Sequence, residues 1–125
     1  MTDVTAEELA ARLGEPGLVV LDVRSLHEFT GAFGAPCDPR QGHIPGARHL
    51  ELMTLFEATT VERVQELIGE PAGTEVIAYC HTGGRSAAAV DVLRAAGYLA
   101  RNYPGSWHEW SRRDSDSPFQ GEPES

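Results

Sequence analysis

Apolar positions along this chain fall into two kinds of spacing, separated by glycine- and proline-rich breaks. In "TAEELAARLG", Leu9 and Leu13 recur at i, i+4, Thr5 and Glu8 form a capping-box pair, and Gly14 is a stop, which predicts a helix. "GLVVLDVR" is a continuous apolar run closing on charge, the pattern of a buried parallel strand with Asp22 and Arg24 at its carboxyl end. Glycine and proline break the stretch from Ser25 to Gly46, which predicts no regular structure there. "ARHLEL" has room for one short strand. In "TTVERVQELIG" the pair Thr59 and Glu62 predicts a cap, and Val61, Val64 and Ile68 share a helical face. "TEVIAY" predicts a strand, "RSAAAVDVLRAAG" a helix beginning near Ser86 and closed by Gly97, "YLARNYPGS" a last short strand, and "WHEW" a terminal turn. Trp107 and Trp110 then pack that turn against the core.

Strands alternating with helices predict an α/β domain with a central, mostly parallel sheet. No internal repeat or long linker divides the chain, so residues 3–111 read as one domain and residues 112–125 as a polar, flexible tail. The 125 residues suffice for a core without crosslinks. The formal net charge is −9, and all ten basic residues are arginine. That acidic balance argues against a nucleic-acid partner, which needs concentrated basic charge. The N-terminal stretch lacks a basic segment and an apolar core of export-signal length, and no apolar run suggests a membrane span. Two cysteines, Cys37 and Cys80, are too few for a disulfide scaffold, so the expected compartment is the reducing cytoplasm.

The chemistry concentrates in "VIAYCHTGGRSAAAV". Cys80 stands where a strand ends, and a helix begins a few residues later. Gly83 and Gly84 let the intervening loop curl with its N–H groups inward. The helix N-terminus adds unpaired N–H groups, and Arg85 adds a planar cation suited to oxyanions. A thiol in that field has a lowered pKa and is available as thiolate, and the same field attracts an anionic substrate. The bland alternative is a buried structural cysteine, but the glycines, arginine and helix start coincide too closely for it.

"CHTGGRS" at a strand end, "LDVRSLHEF" upstream and "GHIPGA" between them resemble the signature motifs of the rhodanese family of sulfurtransferases. The resemblance spans roughly Asp3 to Trp110. It implies a rhodanese-like α/β fold with helices on both faces of the sheet. It also implies that Cys80 carries a sulfane sulfur as a persulfide, without cofactor or metal. His81, Thr82, Gly83, Gly84, Arg85 and Ser86 would bind the persulfide and a small anionic sulfur donor. Cyanide, a thiol or a partner protein would then accept the sulfur. "GAFGAPCDPRQGHIPGA" together with "YPGSWHEW" resembles the catalytic half of tandem thiosulfate and mercaptopyruvate sulfurtransferases. His81 and Thr82, where mercaptopyruvate-type loops carry small residues, tilt the expected donor toward thiosulfate. Thiosulfate-type members tend to carry lysine where Thr82 stands and arginine where Glu28 stands, so two donor-binding cations are missing.

Other residues have quieter readings. Asp22 and Arg24 flank Val23 on one side of the strand and brace neighbouring loops. Glu28 either pairs with Arg24 or Arg85 or faces solvent. In "GHIPGA" the glycines and Pro45 fix a turn, with His43 bonding to backbone rather than acting as a base. His81 either favours the thiolate or guides an acceptor, or else faces solvent. Cys37 reads as a surface residue in the proline-rich insertion, and a sulfur relay through it is the minority reading. The histidines and cysteines show no metal-ligand spacing.

Two rivals remain. Cysteine phosphatases also place Cys before a glycine-rich turn and Arg, but with five residues between; here four intervene, from His81 to Gly84. A non-catalytic, rhodanese-type binding module commonly lacks the cysteine, which this chain keeps.

Overall fold

The computed structural model describes residues 2–113; most of the stretch read as a polar tail lies outside them. The elements in chain order are α1 (Ala6–Arg12), β1 (Leu18–Asp22), α2 (Leu26–Thr30), β2 (Arg48–His49), α3 (Leu52–Phe56), α4 (Val61–Ile68), β3 (Glu75–Tyr79), α5 (Gly84–Ala95), β4 (Leu99–Asn102) and α6 (Ser106–Trp110). Among the described residues the strands form one parallel sheet in the order β2-β1-β3-β4. β1 and β3 pair along their full length, from Leu18 with Glu75 to Asp22 with Tyr79.

Apart from Asp22 and Glu75 at their ends, both central strands are apolar because both faces are covered. Val19, Leu21, Val76, Ala78 and Cys80 face one core with Leu55 of α3, Val64 and Ile68 of α4 and Leu93 of α5. Val20, Ile77 and Tyr79 face the other, with Leu9 of α1 and Trp107 and Trp110 of α6. The period-2 alternation of the strands therefore divides the interior into two halves. β1 and β3 are the two central strands and run parallel, with Asp22 paired to Tyr79, so the loops that follow them are neighbours at one end of the sheet. No helix among the described residues is long and apolar enough to cross a membrane.

Several local expectations need correction. The stretch from Ser25 to Gly46 is not wholly irregular, because Ser25 and Glu28 close a reciprocal capping box and start α2, which Gly31 ends in a left-handed conformation. α3 was not expected; it has no side-chain cap and is anchored by fully buried Leu55. The cap of α4 is Thr60, whose Oγ1 accepts from Arg63 N at 3.1 Å, not Thr59. Thr5 caps α1 through Glu8 N, but the Glu8 carboxylate takes the Arg101 guanidinium at 2.6 and 2.9 Å instead of closing the box. A two-pronged bond to a full positive charge outcompetes a single bond from an uncharged backbone amide. α5 starts at Gly84, two residues before Ser86.

Candidate active site

Cys80 follows β3 directly and is held from below by α6. Its amide donates to Ser106 Oγ at 3.0 Å, its carbonyl accepts from Trp107 N at 2.9 Å, and the His81 carbonyl accepts from His108 N at 2.9 Å. Ser106 sits at φ 54, a conformation uncommon outside glycine, with its hydroxyl donating to Tyr103 O at 2.8 Å. At the turn of the loop, Gly83 has φ 96, and a Cβ there would lie 2.7 Å from Pro104 O. Both conditions require glycine. The Gly83 carbonyl is fixed in turn by Ala87 N at 3.0 Å, Ser86 Oγ at 3.2 Å and Asn102 Nδ2 at 3.3 Å.

The result is a sulfur atom inside a ring of donors. Cys80 Sγ accepts from Gly83 N at 3.1 Å and Ser86 N at 3.4 Å, and the one hydroxyl hydrogen of Ser86, whose Oγ is 3.4 Å away, is shared between Cys80 Sγ and Gly83 O. Burial pushes the thiol pKa up, but these donors and the nearby Arg85 charge outweigh it and hold it below the ordinary 9.0. Thiolate is the nucleophilic form, so the loop favours the reactive species.

Arg85 is already engaged. Its Nη1 and Nη2 meet Glu28 Oε1 and Oε2 at 3.0 and 3.2 Å, and Ser25 N and Oγ also reach Glu28 at 3.1 Å. Burial raises the Glu28 pKa, but Arg85 and Ser25 bring it down to about 2. The loop cation is thus largely neutralised on one side. Thr82 is exposed and adds no charge.

The residues below the loop make an interior brace. Arg24 donates to Asp22 through Nε at 3.0 Å and Nη2 at 2.7 Å, and Nη2 also reaches Gly42 O. Its guanidinium lies 5.2 Å from the Trp107 ring centroid and 5.7 Å from that of Tyr79. The pair is fully buried, so deleting either partner strands a charge, at a cost of about 3–5 kcal/mol. His43 Nδ1 donates to Phe29 O at 2.8 Å, with its ring stacked on Phe29 at 3.9 Å. These bonds tie "DVR", α2 and "GHIPGA" into one support.

The sequence model of the family described as "Rhodanese-like domain" matches residues 5–113. The chain belongs to the rhodanese-like domain family. It is 35% identical over 116 residues to a Pseudomonas aeruginosa protein named "Probable 3-mercaptopyruvate sulfurtransferase", covering 86% of this chain and 40% of that one. It is 32% identical over 124 residues to the thiosulfate sulfurtransferase of the same organism, covering 93% and 45%. A crystal structure titled "Probable Thiosulfate Sulfurtransferase" superposes with a TM-score of 0.76 at 45% identity, covering 88% of this chain and 44% of that one. This rhodanese-like chain therefore spans less than half the length of these relatives.

Around the rhodanese loop the structure adds residues that sequence reasoning passed over. Asp38 is buried and stands 2.9 Å from His81 Nε2, so His81 is turned inward beside a carboxylate. Arg112 Nη1 reaches Asp38 Oδ1 at 2.9 Å, and its Nη2 reaches Cys37 O at 2.6 Å. Burial raises the Asp38 pKa, but Arg112 and His81 outweigh it and lower it. Ser106 and Asn102, which pin Cys80 and Gly83, were also missed. Ser106 lies inside "YPGSWHEW", but nothing in its spelling distinguishes it from an ordinary helix start. Hollows of about 160 Å³ beside Val64 and Val92, and about 230 Å³ beside Asp91 and Arg94, are not lined by Cys80. Cys80 is 1% exposed, so donor geometry and not open volume locates this candidate site.

Proposed function

We propose that this rhodanese-like domain is a sulfurtransferase that carries sulfane sulfur as a Cys80 persulfide. The observation that carries the reading is the set of three donors on Cys80 Sγ from Gly83 and Ser86. They stabilise a thiolate before the reaction and stay within reach of the terminal sulfur after it. With thiosulfate, the Cys80 thiolate attacks the outer sulfur, the S–S bond of the donor breaks, and sulfite leaves with the bonding electron pair. No proton moves in that step. Cyanide then attacks the terminal sulfur, thiocyanate departs, and the Cys80 thiolate returns; a thiol acceptor does the same through its own thiolate.

The Glu28–Arg85 pair supports a second donor class. A carboxylate two-pronged on the loop cation weakens its hold on a dianion. A persulfide presented by a partner protein needs that cation less, and it enters the same Cys80 cycle.

Intact mass after incubation of the reduced chain with thiosulfate is the test, beside Cys80→Ser. The expected result is a gain of one sulfur that requires Cys80 and is released by cyanide as thiocyanate. No gain with thiosulfate, mercaptopyruvate or a persulfide donor overturns the reading. A gain with the persulfide donor alone assigns the relay role.

A further inference from the structure

We propose that Cys37, Asp38, His81 and His108 form a binding site for one divalent transition-metal ion, with zinc the best match. Their spacing along the chain carries no such signal. Folding assembles them: Cys37 and Asp38 come from the insertion before "GHIPG", His81 from the catalytic loop and His108 from α6. The bond from His108 N to His81 O, 2.9 Å, ties α6 to the loop and holds the two histidines together.

The donor atoms are one thiol sulfur, one carboxylate oxygen and two imidazole nitrogens, all within 4.8 Å of one another. His81 Nε2 is 2.9 Å from Asp38 Oδ2, His108 Nδ1 is 3.4 Å from Asp38 Oδ1, and Cys37 Sγ is 3.9 Å from Asp38 Oδ1. Ligand atoms around a tetrahedral zinc are separated by about 3.3–3.7 Å, so small side-chain rotations suffice. Mixed sulfur and nitrogen donors with one carboxylate select a borderline-soft ion over magnesium or calcium.

An independent observation points to a ligand. The Asp38 side chain is 1% exposed, yet its Oδ2 completes no hydrogen bond, and neither does His81 Nε2 facing it. The two come close but out of line. Buried polar atoms left so are costly, and a metal between them satisfies both. Cys37 and His108 form the exposed rim, which gives an ion its way in.

Charge supports the same conclusion. A Cys37 thiolate and the Asp38 carboxylate balance a divalent ion, with both imidazoles neutral. The Cys37 thiol proton passes to solvent as the metal–sulfur bond forms. Without metal, Arg112 supplies the positive charge, its Nη1 lying 2.9 Å from Asp38 Oδ1 and 3.2 Å from His108 Nδ1. The Arg112 side chain is over a third exposed, so as an ion enters, its guanidinium exchanges Asp38 and Cys37 O for water.

The site is independent of which sulfur donor the loop accepts, and its test does not read activity. The full chain carrying Cys80→Ser, so that the nucleophile takes no metal, is titrated with cobalt(II) and then with competing zinc; native mass spectrometry counts the ions. One ion per chain is expected, with a visible tetrahedral ligand-field band and a thiolate-to-cobalt charge-transfer band. Adding Cys37→Ser abolishes the charge-transfer band, and either it or His108→Ala lowers affinity by roughly tenfold or more. Both positions are exposed, and circular dichroism of the metal-free variants checks their folding. Absence of a one-to-one complex, or a complex whose spectrum and affinity ignore both substitutions, overturns the assignment.

Discussion

At the scale of single residues, Glu28 decides how much charge the loop offers. It serves α2 as the acidic half of a capping box and Arg85 as a two-pronged partner. Its pKa falls from the ordinary 4.5 to about 2. A carboxyl with a depressed folded pKa binds its proton more readily in the unfolded chain. Its contribution to stability is therefore complete above 4.5, shrinks as pH falls from 4.5 toward about 2, and is absent below that. Arg85 is 40% exposed, so solvent screens the pair and its worth stays near or below about 1 kcal/mol. Glu28→Gln keeps an amide able to meet Ser25 but removes the charge. Urea midpoints of this variant and the parent chain should differ at neutral pH and converge as the solution is acidified through that window. A gap that persists unchanged at the acid end would locate the effect in the helix cap and not in the ion pair.

At the scale of elements, the same kind of bond separates what the sequence displays from what it hides. Thr59 and Thr60 are adjacent, and each has a glutamate or arginine three residues on; only the backbone turn decides which hydroxyl faces the helix end. Thr60 does, with Arg63 N as donor at 3.1 Å. Thr60→Ala should lower unfolding free energy by about 1 kcal/mol. Thr59→Ala should change it by less than about 0.5 kcal/mol, as for an ordinary surface site. Equilibrium denaturation of the two variants side by side checks the assignment. Legibility follows this distinction. β1, β3 and α5 were readable because their apolar runs are long and bounded by glycine or charge. α2 was hidden although Ser25 and Glu28 spell a capping box, since the glycines and prolines after it dominate the window. α3 has only five residues and no side-chain cap, so its buried Leu55 is its sole signal. The loop from Cys80 to Ser86 was legible because its donors, its turn glycine and the proposed nucleophile Cys80 are contiguous. Asp38, Asn102 and Ser106 reach it only through the packing of the insertion, the end of β4 and α6 respectively, and no local pattern announces a contact made across that distance.

At the scale of the whole molecule, charge and site pull in opposite directions. In the proposed cycle the loop draws an anion through its amides and Arg85, while the chain as a whole carries a net −9. A dianion such as thiosulfate approaches against that field until it comes within reach of the loop donors. Salt weakens the long-range repulsion more than the short contacts inside the loop, because the Debye length contracts from about 30 Å at 0.01 M to about 8 Å at 0.15 M. Over that range the repulsion should ease by roughly 1 kcal/mol, about fivefold in the second-order rate of Cys80 persulfide formation. Rapid-quench mass measurement of persulfide at low thiosulfate, in rising sodium chloride, gives this rate directly. The rise should be steeper for thiosulfate than for a monoanionic donor, since the repulsion scales with donor charge. A rate that falls with salt would mean that Arg85 and the loop amides govern encounter despite the net charge. A basic protein donor should show that falling dependence too, since the acidic surface that repels thiosulfate would steer such a partner toward Cys80.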